Sequence, residues 1–162
     1  MRLLFPGLIL VLLILACGPD DRAGYRSLDL TQYNIPVTIQ APDSAQVVST
    51  TLSGVMDDVT IKSPADRYAV QVLASDASTN DMARLKADEV ELVRGNRYFE
   101  RIVTEEPQGF IFENKIDTSS AYGFRYIIYR GDREIVFQNS FDGVFSLAEV
   151  ENMYESVKPV QQ

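Results

Sequence analysis

From Tyr33 onward, apolar residues alternate with polar ones in short runs that are separated by Gly, Pro and Asp. Ile35, Val37 and Ile39 open this pattern, and Ala41-Pro42-Asp43 breaks it. Val47–Leu52 follows, then Val59 and Ile61 before Pro64, then Tyr68–Leu73. A period of two with β-branched and aromatic residues predicts strands. The period then changes. Leu85, Val93, Met82, Val90, Leu92 and Ala83 fall on one arc of a wheel at 100° per residue, and Lys86 and Glu89 intrude on it. This predicts a helix from about Thr79 to Arg94, with Ser78, Thr79 and Asn80 as N-cap candidates, Asp81 in the first turn and Gly95 closing the end.

Alternation returns over Arg97–Glu105. A Pro-Gly turn at 106–109 leads into a partner strand from Phe110 to Ile116, and a second hairpin joins Phe124–Tyr129 to Glu134–Asn139 across 130–133. A last helix is predicted over Ser146–Lys158. Ser146 and Glu149 have capping-box spacing, Leu147, Val150, Met153, Tyr154 and Val157 form one stripe, and Pro159 follows. The prediction is an α+β fold: a mainly antiparallel sheet, a middle helix and a C-terminal helix packed on it. The expected organisation is a leader over 1–16, a flexible tether over 17–32 that lacks periodicity, and one domain over 33–158.

The leader has its own pattern. Met1-Arg2 is a minimal positive start, and Leu3–Ala16 is apolar apart from Pro6 and Gly7. Fourteen residues are too few to span a bilayer as a helix but fit the h-region of a secretory signal. The segment ends Ile14-Leu15-Ala16-Cys17-Gly18, and Cys17 is the single cysteine of the chain. This resembles the lipobox of bacterial lipoproteins, with Ile14 in place of the usual Leu and Leu15 in place of the usual small residue. The resemblance implies cleavage before Cys17, a diacylglycerol thioether on its sulfur and an acyl chain on its new amino group. Two or more chains suffice for stable anchoring, since each buried methylene contributes about 0.8 kcal/mol. Gly18, which is not Asp, implies the outer membrane by the sorting rule of many Gram-negative lipoproteins. Asp20-Asp21 leave the periplasmic face and the cell surface both open. Over Tyr33–Lys158 the element order resembles the PsbP/Mog1-like architecture, which implies binding or accessory work.

Composition narrows the chemistry. The chain of 162 residues carries a formal charge of −8, with 15 basic against 23 acidic residues. No basic cluster offers a phosphate-backbone footprint, so nucleic acid is not an expected partner. With no His at all, every His-containing triad and the commonest metal ligand are excluded. One Cys excludes an intramolecular disulfide and a thiolate zinc site. No P-loop, Gly-x-Ser-x-Gly elbow or Ser-x-x-Lys motif occurs, and no cofactor is expected.

Three local patterns invite a chemical reading. Asp76, Ser78 and Asn80, after a strand and before a helix, resemble the Asp-x-Ser-x-Ser cation site of von Willebrand A domains, but Asn80 replaces the last Ser. Helix-entry capping accounts for the same residues. Arg130-Gly131-Asp132 matches an integrin tripeptide, and it also matches the demands of a hairpin turn. Asp57, Asp58, Glu105, Glu106 and Glu113 supply carboxylates for a glycosidase-like pair, but their spacing selects none. Late aromatics (Tyr122, Phe124, Tyr126, Tyr129, Phe137, Phe141, Phe145) are expected mainly beneath the last helix, with some left on an open face. The expected function is a non-enzymatic accessory or binding module, held to lipid through Cys17 and serving an envelope protein. A carboxylate-dependent envelope hydrolase and an immunity or inhibitor lipoprotein are the alternatives.

Overall fold

The computed structural model describes residues 22–52 and 54–159. The leader and Cys17 lie outside the described residues. Among the described residues nine strands and two α-helices follow one another: β1 (Tyr25–Asp29), β2 (Thr38–Pro42), β3 (Gln46–Leu52), β4 (Met56–Ser63), β5 (Tyr68–Asp76), α1 (Met82–Arg94), β6 (Phe99–Glu106), β7 (Gly109–Ile116), β8 (Ser119–Arg130), β9 (Arg133–Asn139) and α2 (Leu147–Val157). Strands β3 to β9 form one sheet in the order β3-β4-β5-β9-β8-β7-β6, and every neighbouring pair is antiparallel. The α+β class and both helices stand as the periodicity predicts.

Side chains alternate across the sheet, so each strand feeds two cores. On one face Val59, Ile61, Val70, Val72, Ile135, Phe137, Phe124 and Ile111 pack beneath α2 and the β1–β2 hairpin. Tyr154 of α2 meets Phe124 and Tyr126 edge-on, with centroids 5.8 and 5.9 Å away. The predicted stripe on α2 is the buried one: Val150, Met153, Tyr154 and Val157 are buried, and Leu147 is half-buried. Ser146 and Glu149 make both bonds of the capping box. The opposite face has a smaller core, in which Leu85 and Val93 of α1 sit on Phe110, Phe112, Ile127 and Val136.

Two expectations are corrected. Residues 25–32 are not a tether. Strand β1 pairs with β2 in register from Tyr25–Pro42 to Asp29–Thr38, and Leu28 and Leu30 are buried. Arg22 already bonds Asn152 on α2 through its guanidinium, and Asn152 donates to the Tyr25 hydroxyl at 2.6 Å. Two leucines two positions apart are too short a pattern to stand out from a polar segment, and pairing with β2 supplies the rest. The cap of α1 is Asp81, whose carboxylate accepts from Ala83 N at 2.9 Å and Arg84 N at 3.3 Å. Ser78, Thr79 and Asn80 precede it and do not cap the helix.

The N-terminal hairpin therefore contributes to folding. Leu30→Ala is expected to cost about 2–5 kcal/mol in a denaturant melt, as buried leucine truncations do, whereas Gln32→Ala, on an exposed side chain, should stay within about 0.5 kcal/mol. A second outcome concerns acid. Arg67 donates to Glu149 at 2.7 Å and, with the Ser146 backbone N–H, holds that carboxyl down at about 2. A depressed carboxyl stabilises the fold above its ordinary value of 4.5, and this contribution is lost as pH falls toward 2. Glu149→Gln should flatten the dependence of Tm on pH between those values.

Candidate functional site

Six large apolar side chains are exposed among the described residues: Val48, Val55, Leu92, Ile116, Phe141 and Val144. Four of them (Leu92, Ile116, Phe141 and Val144) line one groove of about 490 Å³. That volume is within the usual range for binding sites. The groove opens on the α1 face of the sheet, where the helix stops short of the β7–β8 hairpin end.

The floor comes from alternate residues of two strands. Phe112, Asn114 and Ile116 of β7 line it, as do Ala121, Gly123 and Arg125 of β8. Gly123 is required there. A Cβ at this position would lie 2.5 Å from Phe112 Cζ, so the ring takes the space that a side chain would fill. One wall is the last turn of α1, with Leu92, Val93 and then Asn96. Leu92 shares the predicted apolar arc but is 65% exposed, because α1 sits over the sheet through Leu85 and Val93 and leaves the flank of its last turn free.

The other wall is the loop from Ser140 to Val144. Ser140 N donates to Ala69 O at 2.8 Å, and Ser140 Oγ donates to Asp142 at 2.8 Å. Lys62 forms an ion pair with Asp142. Arg67 donates to the Val144 carbonyl at 2.8 Å, and its guanidinium lies over the buried Phe145 ring at 5.5 Å. The loop is thus braced along its length, yet it presents Phe141 at 85% exposure and Val144 at 65%.

The groove is electrically quiet. Among the described residues Arg125 is its one charged lining residue. Its Nε meets Glu89 Oε2 at 3.0 Å, and its Nη1 donates to the Phe124 carbonyl. Burial lowers the Arg125 pKa, with Glu89 opposing. Glu89, which interrupted the apolar arc of α1, is thus the partner of a buried arginine. Beyond it, Gln138 donates to Gln71 at 2.8 Å and Gln71 to Asp58 at 2.9 Å, a polar row across β9, β5 and β4 in which Gln138 is buried. Three asparagines line the groove as well. Asn96 Oδ1 accepts from Tyr98 N, and Asn139 Oδ1 accepts from Phe124 N. Asn114 Oδ1 is buried without a hydrogen-bond partner.

The residues singled out in the sequence lie elsewhere. Asp76 ends β5 opposite Arg133 and lines a separate polar hollow of about 440 Å³ with Asn34, Asp57 and Arg133. Ser78 and Asn80 do not line that hollow. Arg133 bridges Asp57 at 2.6 Å and the Ala74 carbonyl at 2.8 Å. No cluster of three or more Asp, Glu, Cys or His with metal-site geometry occurs among the described residues. Gly131 and Asp132 have φ of 60° and 61°, as the two-residue hairpin between β8 and β9 demands. The flanking Arg130 donates to Pro36 O, and Asp132 accepts from Tyr129, so all three residues of the tripeptide serve the fold. Lys86 holds Glu105, Lys158 holds Glu106, and Ser120 and Arg101 hold Glu113; each of these carboxyls is pulled below its ordinary value. No spacing in the sequence marks the groove. Its one available trace was Phe141-Asp142-Gly143-Val144, two apolar residues in a turn-like segment.

No family model, curated protein or solved structure matches the chain.

The floor geometry has a direct test. Gly123→Ala forces the Phe112 ring to move, and overpacking of this kind is expected to cost about 1–3 kcal/mol. Gly131→Ala, with open space around it, should be penalised only through its positive φ, by about 1 kcal/mol. Urea melts of the two variants compare them.

Proposed function

We propose that the protein is a lipid-anchored, non-enzymatic binding module of the bacterial outer membrane, and that the groove between α1, the β7–β8 hairpin end and the 140–144 loop is its binding site. The observation that carries this reading is the gathering of four exposed large apolar residues around one concavity on a braced frame. Apolar patches rimmed by polar residues mark interaction sites. Glu105, Glu106 and Glu113 are engaged by Lys86, by Lys158 and by Ser120 with Arg101 and drawn below their ordinary value, which supports binding over general-acid chemistry at these three carboxylates.

The anchor half of the reading rests on the lipobox-like end of the leader. Cys17 is five positions before Arg22, which is tied to α2. At about 3.4 Å per residue that stretch reaches about 17 Å at most, so the anchor holds the domain close to the lipid surface.

Both halves are testable. In a Gram-negative host fed labelled palmitate, the full chain should take up label and Cys17→Ser should take up none; labelling of the variant would overturn the anchor. For the groove, the full-length protein in nanodiscs is irradiated with a small neutral phenyldiazirine, and the labelled residues are located by mass spectrometry. Label should concentrate at Leu92, Ile116, Phe141 and Val144 over Val48 and Val55, which are exposed outside the groove. Uniform labelling of all six would remove the groove as a site.

A further inference from the structure

We infer that the end of the domain carrying the groove, with the 140–144 loop foremost, seats on the zwitterionic lipid surface in which the acylated Cys17 is held. This names the partner of the groove and rests on the anchor reading.

The chain enters the fold at this end. Gly24 O accepts from Asp43 N at 2.9 Å. Ser44 then donates from Oγ to Asp66 at 2.8 Å, and the adjoining Arg67 donates to the Val144 carbonyl at 2.8 Å. A short run of hydrogen bonds thus joins Gly24 to the exposed loop. The strand pairings put the other walls of the groove at the same end. Ser63 lies opposite Tyr68, Val70 opposite Asn139, Phe99 opposite Asn114 and Ile116 opposite Ser119. Leu92, Ile116, Phe141 and Val144 therefore stand exposed at the end from which the chain leaves toward Cys17. The exposed Val55, in the turn between β3 and β4, is at the other end, where Leu52 pairs with Met56.

Length decides which end meets the lipid. Strand β8 has twelve residues, so at about 3.3 Å per residue the sheet is about 40 Å from end to end. The stretch from Cys17 to Arg22 reaches about 17 Å at most. Standing on its far end, the domain would lift the start of β1 beyond that reach, because Tyr25 packs on Tyr68 at the near end. The helix faces offer lipid little. Arg84, Asp88 and Glu91 are exposed along α1, and Glu151, Asn152 and Glu155 along α2, and such groups stay in water.

The near end suits an uncharged surface. Lys62 is paired with Asp142, Arg67 with Glu149, and Asp66 accepts from Ser44 and Ser63. These charges have partners within the protein and call for none in the lipid. A chain of net charge −8 would be repelled by an anionic surface. Tethering supplies the rest. A domain confined beside the bilayer meets it at a high effective concentration, so a few apolar side chains entering the headgroup boundary suffice to hold one end down. The bracing of the loop keeps Phe141 and Val144 outward before contact, so docking orders nothing new.

The chain has no Trp, so a single introduced Trp reports its own surroundings. Full-length protein carrying Phe141→Trp is placed in nanodiscs of phosphatidylcholine, with and without bromine on the acyl chains, which quenches indole only on contact. Phe141→Trp and Ile116→Trp should each lose most of their emission to the brominated lipid, and Val55→Trp should lose none. Adding Phe141→Ser and Val144→Ser to Ile116→Trp should restore its emission, since the loop that holds this end down is gone. All these sites are exposed, so the substitutions should leave the fold intact. Equal quenching of Val55→Trp and Phe141→Trp would overturn the orientation. A Trp at 141 shielded from aqueous acrylamide yet indifferent to bromine would overturn lipid as the occupant and give the groove to another ligand. A Trp at 141 open to acrylamide and indifferent to bromine, in protein that carries labelled palmitate, would overturn the docking and leave the anchor standing. Protein that takes up no palmitate and stays off the nanodiscs would overturn the anchor reading, and the docking with it.

Discussion

The pairing of β5 with β9 is the contact on which the rest of the architecture depends. It runs from Val70–Asn139 to Asp76–Arg133 and joins residues more than fifty positions apart. Strands β3, β4 and β5 form one meander, and β6 to β9 form another. Each alone would expose an edge and two poorly covered faces. When β9 closes on β5, β5 and β6 run parallel with three strands between them, so α1 must cross the sheet to connect them. The helix is placed over the sheet by this connectivity, and its contact with β8 follows.

That connectivity also explains why the two faces are covered unequally. One face receives α2 and the β1–β2 hairpin and becomes the larger core. The other receives a single helix of thirteen residues, about 20 Å long at 1.5 Å per residue. Seven strands at about 4.8 Å make a sheet close to 30 Å wide, so one helix cannot cover that face. The uncovered part is handled in two ways. Over β4, β5 and β9 it is made polar, with half-buried Asp58 and Gln71 bonded in a row that ends on the buried Gln138. Over the hairpin end of β7 and β8 it stays apolar and forms the groove.

Much of this architecture was legible in the sequence because its signals are local. The capping box of Ser146 and Glu149, the α2 stripe and the two hairpin turns each need only a few neighbouring residues, and each has its predicted place, whereas the run opened by Ile35 and Val37 becomes a strand only at Thr38 and continues through Ala41 and Pro42. What escaped depended on partners distant in sequence. Leu28 and Leu30 read as tail until β2 and α2 are brought against them. Glu89 read as a flaw in an apolar arc until Arg125, thirty-six positions later, reached it. Leu92 lies on the same arc as Leu85, yet Leu85 is buried against the sheet and Leu92 is exposed. The candidate site is of this second kind throughout. Its lining comes from α1, β7, β8 and the loop after β9, and no spacing within any one of them marks it.

The loop from Ser140 to Val144 argues that the exposed apolar residues are held out by construction. A surface loop with Phe and Val would lower its free energy by folding those side chains inward, given freedom to do so. Here that freedom is removed. Ser140 is fixed to Ala69, Asp142 is held by Lys62 and Ser140, Arg67 takes the Val144 carbonyl, and Tyr122 N bonds the Phe145 carbonyl at 3.2 Å. Phe145 is buried while Phe141, four positions before it, stands 85% exposed. Phe141 and Val144 stand exposed on one side of the groove and Leu92 and Ile116 on the other, so four of the six exposed large apolar residues among those described meet around one concavity. Natural proteins concentrate such breaches of the burial rule where binding needs them and offset the cost in the scaffold, which is the pattern these residues form.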